Sequence, residues 1–348
     1  MAVFKQTKAE KAREFFARYS KFTKAAAIFV LAFFVLCACT IGGFNSPGKA
    51  YYAQAESDIV FYLDYDSEKG STLGQIGEVY INVGAVYAPI GSDFKLNFRR
   101  ASASSTSWLS SRMGNVTLGN VYSSSGDGTT GANYNWIKVF DYTQEGSSTI
   151  STTYRIVRIT VPCDMLINEV VFVDQGGDVI RAVTDEAEAR TLLGGNWDNY
   201  RDYFHANDAT DKFGAYGDPN RLVDAQNNYS GGSSVYSNFT QDEMYTLMQI
   251  DNILLGARMP DGTFNADTDS GPLSVLFPLL GTLIFGKSAF GLRFFSVLFT
   301  SAIVALAYIF ARRLFGREGF ALLAAVLFAG GVLALTVGRL DGANVEIR

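Results

Sequence analysis

Hydrophobic residues in this chain follow two different patterns. Toward its ends they run unbroken: residues 25–41, 292–310 and 320–338 are apolar almost throughout. A stretch of about 20 such residues is what a helix needs to cross a bilayer. In the long middle, rich in Ser, Gly and Tyr, the runs are short and many alternate. Residues 59–63, 79–83, 94–98, 136–140 and 154–161 read as strands, and 167–173 as a more continuously buried one. Trp136-Ile137-Lys138-Val139-Phe140 shows the period of two of a half-buried strand. Asp, Gly and Ser clusters separate these runs at spacings typical of an antiparallel sandwich. Residues 101–131, with scattered Trp108, Met113 and Val121, predict long surface loops with one short strand; residues 185–193 predict a helix. Residues 196–237 are polar and irregular, and no internal repeat is present.

A third pattern begins at Thr240. Met244, Leu247, Met248, Ile250, Leu254 and Leu255 recur at helical spacing, and Thr240 with Glu243 forms a capping box at its start. Asp242 and Glu243 therefore have a plain structural use, as first-turn acids that suit the helix dipole. Residues 272–285 form an apolar run too short to cross a bilayer, opening on Pro272 where a missing N–H costs nothing. This run predicts a helix lying at the membrane surface.

Charge orients these segments. Lys5, Lys8, Lys11, Arg13, Arg18, Lys21 and Lys24 precede the first apolar run, and Arg312, Arg313 and Arg317 separate the last two. Because Lys and Arg in short flanks favour the cytoplasmic side, the expected fold class is a multi-domain membrane protein: an α-helical transmembrane part with an inserted extracytoplasmic all-β sandwich. The expected division is a basic cytoplasmic segment (1–24), a first transmembrane helix (25–43), the sandwich (55–190), a polar linker (191–239), an outer loop with the acidic pair and surface helices (240–291), a second transmembrane helix (292–311), a cytoplasmic loop (312–319), a third transmembrane helix (320–338) and a tail (339–348). Two rival readings of the first segment stay open: a cleaved signal peptide, and a lipoprotein box at Leu36-Cys37-Ala38-Cys39.

The net charge of −5 and the mean hydropathy of +0.10 average these unlike parts and describe neither. The basic residues serve topology, which argues against a nucleic-acid partner. Cys163 is the lone cysteine outside the first apolar run, so no disulfide frame supports the middle; it reads as a buried strand residue, with a reactive thiol as the alternative. His205, without neighbouring ligands or a nucleophile, reads as a surface or packing residue. Sequons begin at Asn115, Asn228 and Asn238. Trp108 and Trp136 are either core anchors or sugar-stacking surfaces.

Residues 155–170, from Arg155-Ile156-Val157-Arg158 to Ile167-Asn168-Glu169-Val170, resemble the closing strands of a discoidin-like, carbohydrate-binding β-sandwich. The likeness covers residues 60–180 loosely and implies a glycan ligand for the outer domain. Residues 240–339 resemble the N-terminal part of membrane glycosyltransferases of the GT-C fold, of the protein O-mannosyltransferase and aminoarabinose-transferase type. The residues that carry this likeness are the acidic pair, Gly271-Pro272-Leu273, the run from Phe290-Gly291-Leu292-Arg293 onward, and Tyr308-Ile309-Phe310-Ala311-Arg312-Arg313-Leu314-Phe315-Gly316.

The resemblance implies a polyprenyl-phosphate-linked sugar donor held in the lipid bilayer, Asp242 as catalytic acid or base, and Glu243 as its companion. Transfer to a hydroxyl or amine needs a carboxylate to take up its proton. The donor phosphate needs a cation or N–H donors. Here the family's Lys- or His-Pro-Pro-Leu reads Ser270-Gly271-Pro272-Leu273. That leaves Ser270, Lys287 and Arg293 as candidate phosphate ligands. Asp269 beside them either brings in a divalent metal or counts against the assignment. No other cofactor is implied. Residues 340–348 resemble a short segment of glycogen phosphorylase, and three transmembrane helices are few for this fold, so the sequence reads as a truncated or chimeric piece without activity of its own. The alternative function is a membrane-anchored carbohydrate-binding surface protein without catalysis.

Overall fold

The computed structural model of the 348-residue chain describes residues 20–44, 48–64, 75–86, 94–101, 107–110, 122–123, 131–132, 134, 136–143, 154–205, 217–229, 239, 241–254 and 272–343. The chain divides into a helical body, residues 1–43 with 292–348, and a sheet body, residues 44–291.

Helix α1 (Lys21–Thr40) of the helical body starts four residues before the predicted apolar run. The reason is local: Ser20 caps it, its side chain accepting the Thr23 N–H, a residue type suited to that position.

The sheet body holds eleven strands: β1 (Tyr51–Ala53), β2 (Asp58–Asp64), β3 (Ile76–Val86), β4 (Lys95–Arg100), β5 (Leu109–Ser110), β6 (Tyr122–Ser123), β7 (Gly131–Ala132), β8 (Trp136–Asp141), β9 (Tyr154–Thr160), β10 (Met165–Asp174) and β11 (Val179–Val183). They make one connected antiparallel sheet in the order β5-β4-β9-β2-β11-β10-β3-β7-β6, with β1 on β10 and β8 on β3. β11 joins its two halves: Ile180 pairs with Phe172 of β10, while Arg181 to Val183 pair with Asp64 to Tyr62 of β2. Curling at this strand lets both halves bury one face together. Phe61, Phe98, Phe140 and Phe172 meet there with Ile59, Ile81, Val157 and Ile167 in one core.

A second core lies on the opposite face of β2 and β9. Helix α2 (Glu186–Leu193), the 3-10 turn Gly194–Asn199 and helix α3 (Arg201–His205) place Leu193, Trp197, Tyr200 and Phe204 against Val60, Tyr62 and Ile156. Asp185 caps α2 through the Glu188 N–H, as the sequence predicts for a helix at 185–193. Residues expected as a polar linker thus supply packing. Leu222, in the 3-10 turn Pro219–Leu222, enters the main core, and the Gln226 side chain accepts the Ala182 N–H at 3.0 Å.

Helix α4 (Gln241–Leu254) packs on α5 (Pro272–Phe285) and on β3 and β7. Pro278 lies inside α5 and removes one backbone donor there. Helix α6 (Ala289–Phe315) and helix α7 (Glu318–Ala343) extend beyond the predicted runs at both ends. In the helical body Ala26 and Phe33 of α1 pack with Val304, Tyr308 and Ala311 of α6 and Ala321, Ala325 and Ala329 of α7. Among the described residues, α1 and α6 are each long and apolar enough to cross a membrane.

Candidate functional site

The buried stripe of α4 is Met244, Leu247, Met248 and Ile250. The next position of that stripe is Asp251, where helical periodicity calls for an apolar residue. Its side chain is 0 % exposed. A carboxylate so placed must be paired, since burying a lone charge is prohibitively costly.

The partners come from four other places in the sheet body. Tyr134 Oη donates to Asp251 Oδ2 at 2.6 Å. The Lys287 ammonium, in the turn between α5 and α6, forms an ion pair with Asp251 Oδ1. That oxygen has no aligned hydrogen-bond donor among the described residues, so Lys287 acts on it as a point charge. Lys287 Nζ also donates to Asn168 Oδ1 of β10 at 3.4 Å. Asn168 Nδ2 donates to Asn82 Oδ1 of β3 at 2.9 Å, and Asn82 Nδ2 reaches the Tyr134 carbonyl at 3.4 Å. The contacts close into a ring: Asp251, Tyr134, Asn82, Asn168, Lys287 and back to Asp251.

Two backbone features make room for the ring. Tyr134 sits at φ +53°, in the left-handed region, a conformation that costs a non-glycine residue about 1–3 kcal/mol. Gly84 has no side chain where a Cβ would stand 3.2 Å from Asn168 Nδ2 and 3.3 Å from the Tyr134 ring. The ring pins α4 and the α5–α6 turn to the sheet.

A second buried acid lies near. Glu169, beside Asn168 on β10, is 0 % exposed. Its Oε2 accepts the Ala225 N–H at 3.0 Å, while Oε1 has no hydrogen-bond partner among the described residues. Burial, then the neighbouring Asp224 carboxyl, pushes its pKa up to about 10. Asp224, more exposed to solvent, is pushed up by partial burial too, against the pull of Lys49 and Arg221. Gly48, at φ +54°, lies over the pair: a Cβ there would be 2.2 Å from Asp224 Oδ1 and 2.6 Å from Glu169 Oε2.

The residues chosen from the sequence fall elsewhere. Asp242 and Glu243 lie on the first turn of α4; Glu243 is half-buried and interacts with its surroundings. Along the chain, Asp242 is nine residues, about two and a half helical turns, from Asp251. Lys287 is brought to Asp251. Arg293 Nη1 donates to the Ile41 carbonyl at the end of α1, at 2.8 Å. Asp269, Ser270 and the Thr240 cap lie outside the described residues. Among the described residues no three His, Cys, Asp or Glu side chains gather to hold a metal ion.

Other expectations resolve more simply. Cys163 is buried in the bend before β10, and not in a strand; burial and Asp164 push its thiol up to about 12, so it is no reactive thiolate at neutral pH. The Trp108 ring has the Arg158 guanidinium at 4.5 Å and that of Arg99 at 5.7 Å. Trp108 is thus a cation–π partner within the fold. Trp136 meets Tyr229 edge-on at 5.2 Å, and Tyr229 lies 4.8 Å from Tyr80. These three half-buried rings share one face with Lys138, which is 5.6 Å from the Tyr80 ring and pairs with Glu78.

Sequence reasoning passed over Asp251, Tyr134, Asn82 and Asn168. A signal for the first was present: a carboxylate at position 251 interrupts the 244, 247, 248 stripe. The others carry none, because Asn and Tyr in loops and strands are ordinary.

Residues 269–347 match the model of a family described as dolichyl-phosphate-mannose-protein mannosyltransferase. The match takes in α5, α6 and α7 and stops short of α4 and the sheet. Neither a curated protein nor a solved structure matches the chain.

Proposed function

We propose that the protein is a membrane glycosyltransferase that moves a sugar from a polyprenyl-phosphate-linked donor to a protein, lipid or glycan acceptor at the extracytoplasmic face. The observation that carries this reading is the mannosyltransferase-family match over residues 269–347, which falls on a short apolar helix followed by two long ones. In such a transfer the acceptor oxygen or nitrogen attacks the anomeric carbon, the carbon–phosphate-oxygen bond breaks, and lipid phosphate leaves with the bonding electrons. A carboxylate takes the acceptor's proton. Asp242, with Glu243 beside it in the first turn of α4, is our assignment for that group.

The leaving phosphate gathers negative charge and needs donors. Lys287 is already neutralised by Asp251, so we assign the phosphate to the N-terminal N–H groups of α5 and to Ser270. Lys287 and Asp251 hold that helix in register with α4. Arg293 remains a second-rank candidate, since it is committed to the Ile41 carbonyl.

The test is transfer of labelled mannose from a polyprenyl-phosphate-linked donor by membranes expressing the protein from its native gene. Asp242→Asn should lower turnover by about 10²–10⁴-fold, the usual share of general acid–base catalysis, with membrane insertion unchanged. As a mere first-turn acid, Asp242 would be worth only about 0.3–1 kcal/mol of helix stability, and wild-type turnover in Asp242→Asn and Glu243→Gln together would remove the assignment. Sidedness is read separately. With Cys37, Cys39 and Cys163 replaced, a cysteine at Ser233 should react with an impermeant thiol reagent and one at Gly316 should not.

A second reading is a carbohydrate-binding surface protein, favoured by the Tyr80, Trp136 and Tyr229 face with its Lys138 and Glu78. Glycan-array binding that Trp136→Ala abolishes, without any transferase activity, would put this reading first.

A further inference from the structure

One end of the helical body is strongly basic. Lys21 and Lys24 lie in the first turn of α1, which holds no acidic residue, and Arg312 and Arg313 lie in the last turn of α6, followed by Arg317. Hydrogen bonds join the two ends: Arg312 Nη1 donates to Thr23 Oγ1 at 3.4 Å, and Thr23 Oγ1 is 3.4 Å from the Tyr308 hydroxyl. Glu318 is engaged by Arg312 at 2.6 Å and by Ser20. Among the described residues, no carboxylate pairs with Lys21, Lys24, Arg313 or Arg317 there. Cations at a helix N-terminus oppose its dipole, so Lys21 and Lys24 call for an anion that the described residues do not supply.

A groove of about 960 Å³ runs from Arg312 and Arg313 along α1 and α6, with Lys24 next in sequence to Thr23 on its rim. Its walls are apolar, with Ala27, Val30 and Phe34 on one side and Ala302, Ala305 and Ile309 on the other. The Ser301 hydroxyl on its wall is buried and has no hydrogen-bond partner among the described residues. The groove extends from Thr23 to Phe34 on α1 and from Leu298 to Arg313 on α6. At 1.5 Å per residue that is about 16–22 Å. The α1 wall matches one leaflet of a hydrocarbon core about 30 Å thick, and both walls stop short of the whole.

We propose that this groove binds one acyl chain of an anionic glycerophospholipid of the cytoplasmic leaflet, with the lipid phosphate at Arg313 and Lys24. The inference rests on membrane placement of α1 and α6. Length sets the occupant as a single leaflet's lipid, and the unpaired cations set the sign of its headgroup.

The full chain is reconstituted into nanodiscs of phosphatidylcholine and phosphatidylglycerol in about equal parts, a probe mixture of neutral and anionic lipid, and retained lipid is counted by native mass spectrometry. One phosphatidylglycerol per chain should be held in preference to phosphatidylcholine. Arg313→Gln with Lys24→Gln should lower that preference by about thirtyfold, from about 1 kcal/mol for each basic residue near an anionic surface. Ala302→Trp, which fills the groove, should abolish retention of either lipid. A wild-type chain carrying a photo-cross-linking residue at Ala305 serves as a second measurement that needs no groove-filling variant, and it should label phosphatidylglycerol. Equal retention of the two lipids, indifference to Ala302→Trp, or cross-linking at Ala305 to another helix or a second copy would each overturn the proposal. Resistance to carbonate extraction reports membrane insertion by itself. A chain that fails to insert sinks this inference together with the membrane reading, while one that inserts but holds no anionic lipid sinks the inference alone.

Discussion

The two bodies of this protein distribute polarity in opposite ways. In the sheet body the large side chains face inward, with Phe61, Phe98, Phe140 and Phe172 at 0 % exposure, yet the same interior holds Asp251, Glu169, Asn82 and Asn168. In the helical body Ile28, Leu31, Phe310 and Leu327 stand more than 60 % exposed, and the packed seam is built from Ala26, Ala311, Ala321, Ala325 and Ala329. A body that folds in water can hold a charged ring inside because a hydrophobic core surrounds and excludes water from it. Helices in hydrocarbon gain nothing by hiding leucine and associate through small residues that let backbones approach. The contrast is the one expected of a sheet body that folds in water and a helical body that folds in a bilayer, and each term in it can be attacked.

The largest expected effect is at the buried ring. Asp251→Ala should cost about 3–5 kcal/mol, because it leaves Lys287 and the Tyr134 hydroxyl inside without a counter-charge. Trp108, Trp136 and Trp197, the only tryptophans of the chain, all belong to the sheet body, so denaturant unfolding followed by their fluorescence reads this body alone. A loss below about 1 kcal/mol, the range of an exposed ion pair, would mean the ring is not closed.

Next comes the exposed surface of α6. Leu306 is 60 % exposed. Leu306→Arg should disfavour insertion by about 2.5–3.5 kcal/mol if that face meets hydrocarbon. If it meets water the change should be within about 0.5 kcal/mol. The inserted fraction in a glycosylation-tag or carbonate-extraction assay decides between them.

A smaller effect tests the buried Glu169 carboxyl. Folded Glu169 holds its proton up to about pH 10, against an ordinary value of 4.5. It binds that proton more tightly folded than unfolded, so its contribution is complete below pH 4.5 and is lost as pH rises toward 10. Between pH 6 and 9 the sheet body should lose up to about 1 kcal/mol per pH unit on this account. Glu169→Gln should flatten the slope; Asp224, raised in the same direction, retains its part. An unchanged slope in Glu169→Gln would show that Glu169 is not the group that titrates there.

The smallest effect is at the surface. Arg181 pairs with Asp64 and Glu188 but is 57 % exposed, so Arg181→Ala should cost only about 0.2–1 kcal/mol. A larger loss would place that edge of β11, where the sheet curls, nearer the interior than its exposure indicates.

Sequence by itself determined the elements whose pattern is local. Unbroken apolar runs announced α1, α6 and α7, short apolar or alternating runs located β2, β3, β4, β8 and β9, and a more continuous one located β10. Pro272 marked the start of α5, because residues suited to a helix start act within a few positions of themselves. It also carried the family resemblance that residues 269–347 support. Tertiary structure alone decided what depends on residues far apart. Asp251 meets Tyr134, 117 positions away, and Asn168 meets Asn82 across 86. No window of sequence holds either pair. Nor could the period of the strands tell that β11 would serve both halves of one sheet, or that residues 197–204 would cover its outer face. A carboxylate is legible as a first-turn acid wherever it stands near a helix start, as at Asp242; whether one is buried and ion-paired, as at Asp251, or buried and protonated, as at Glu169, depends on the distant groups that exclude water from it.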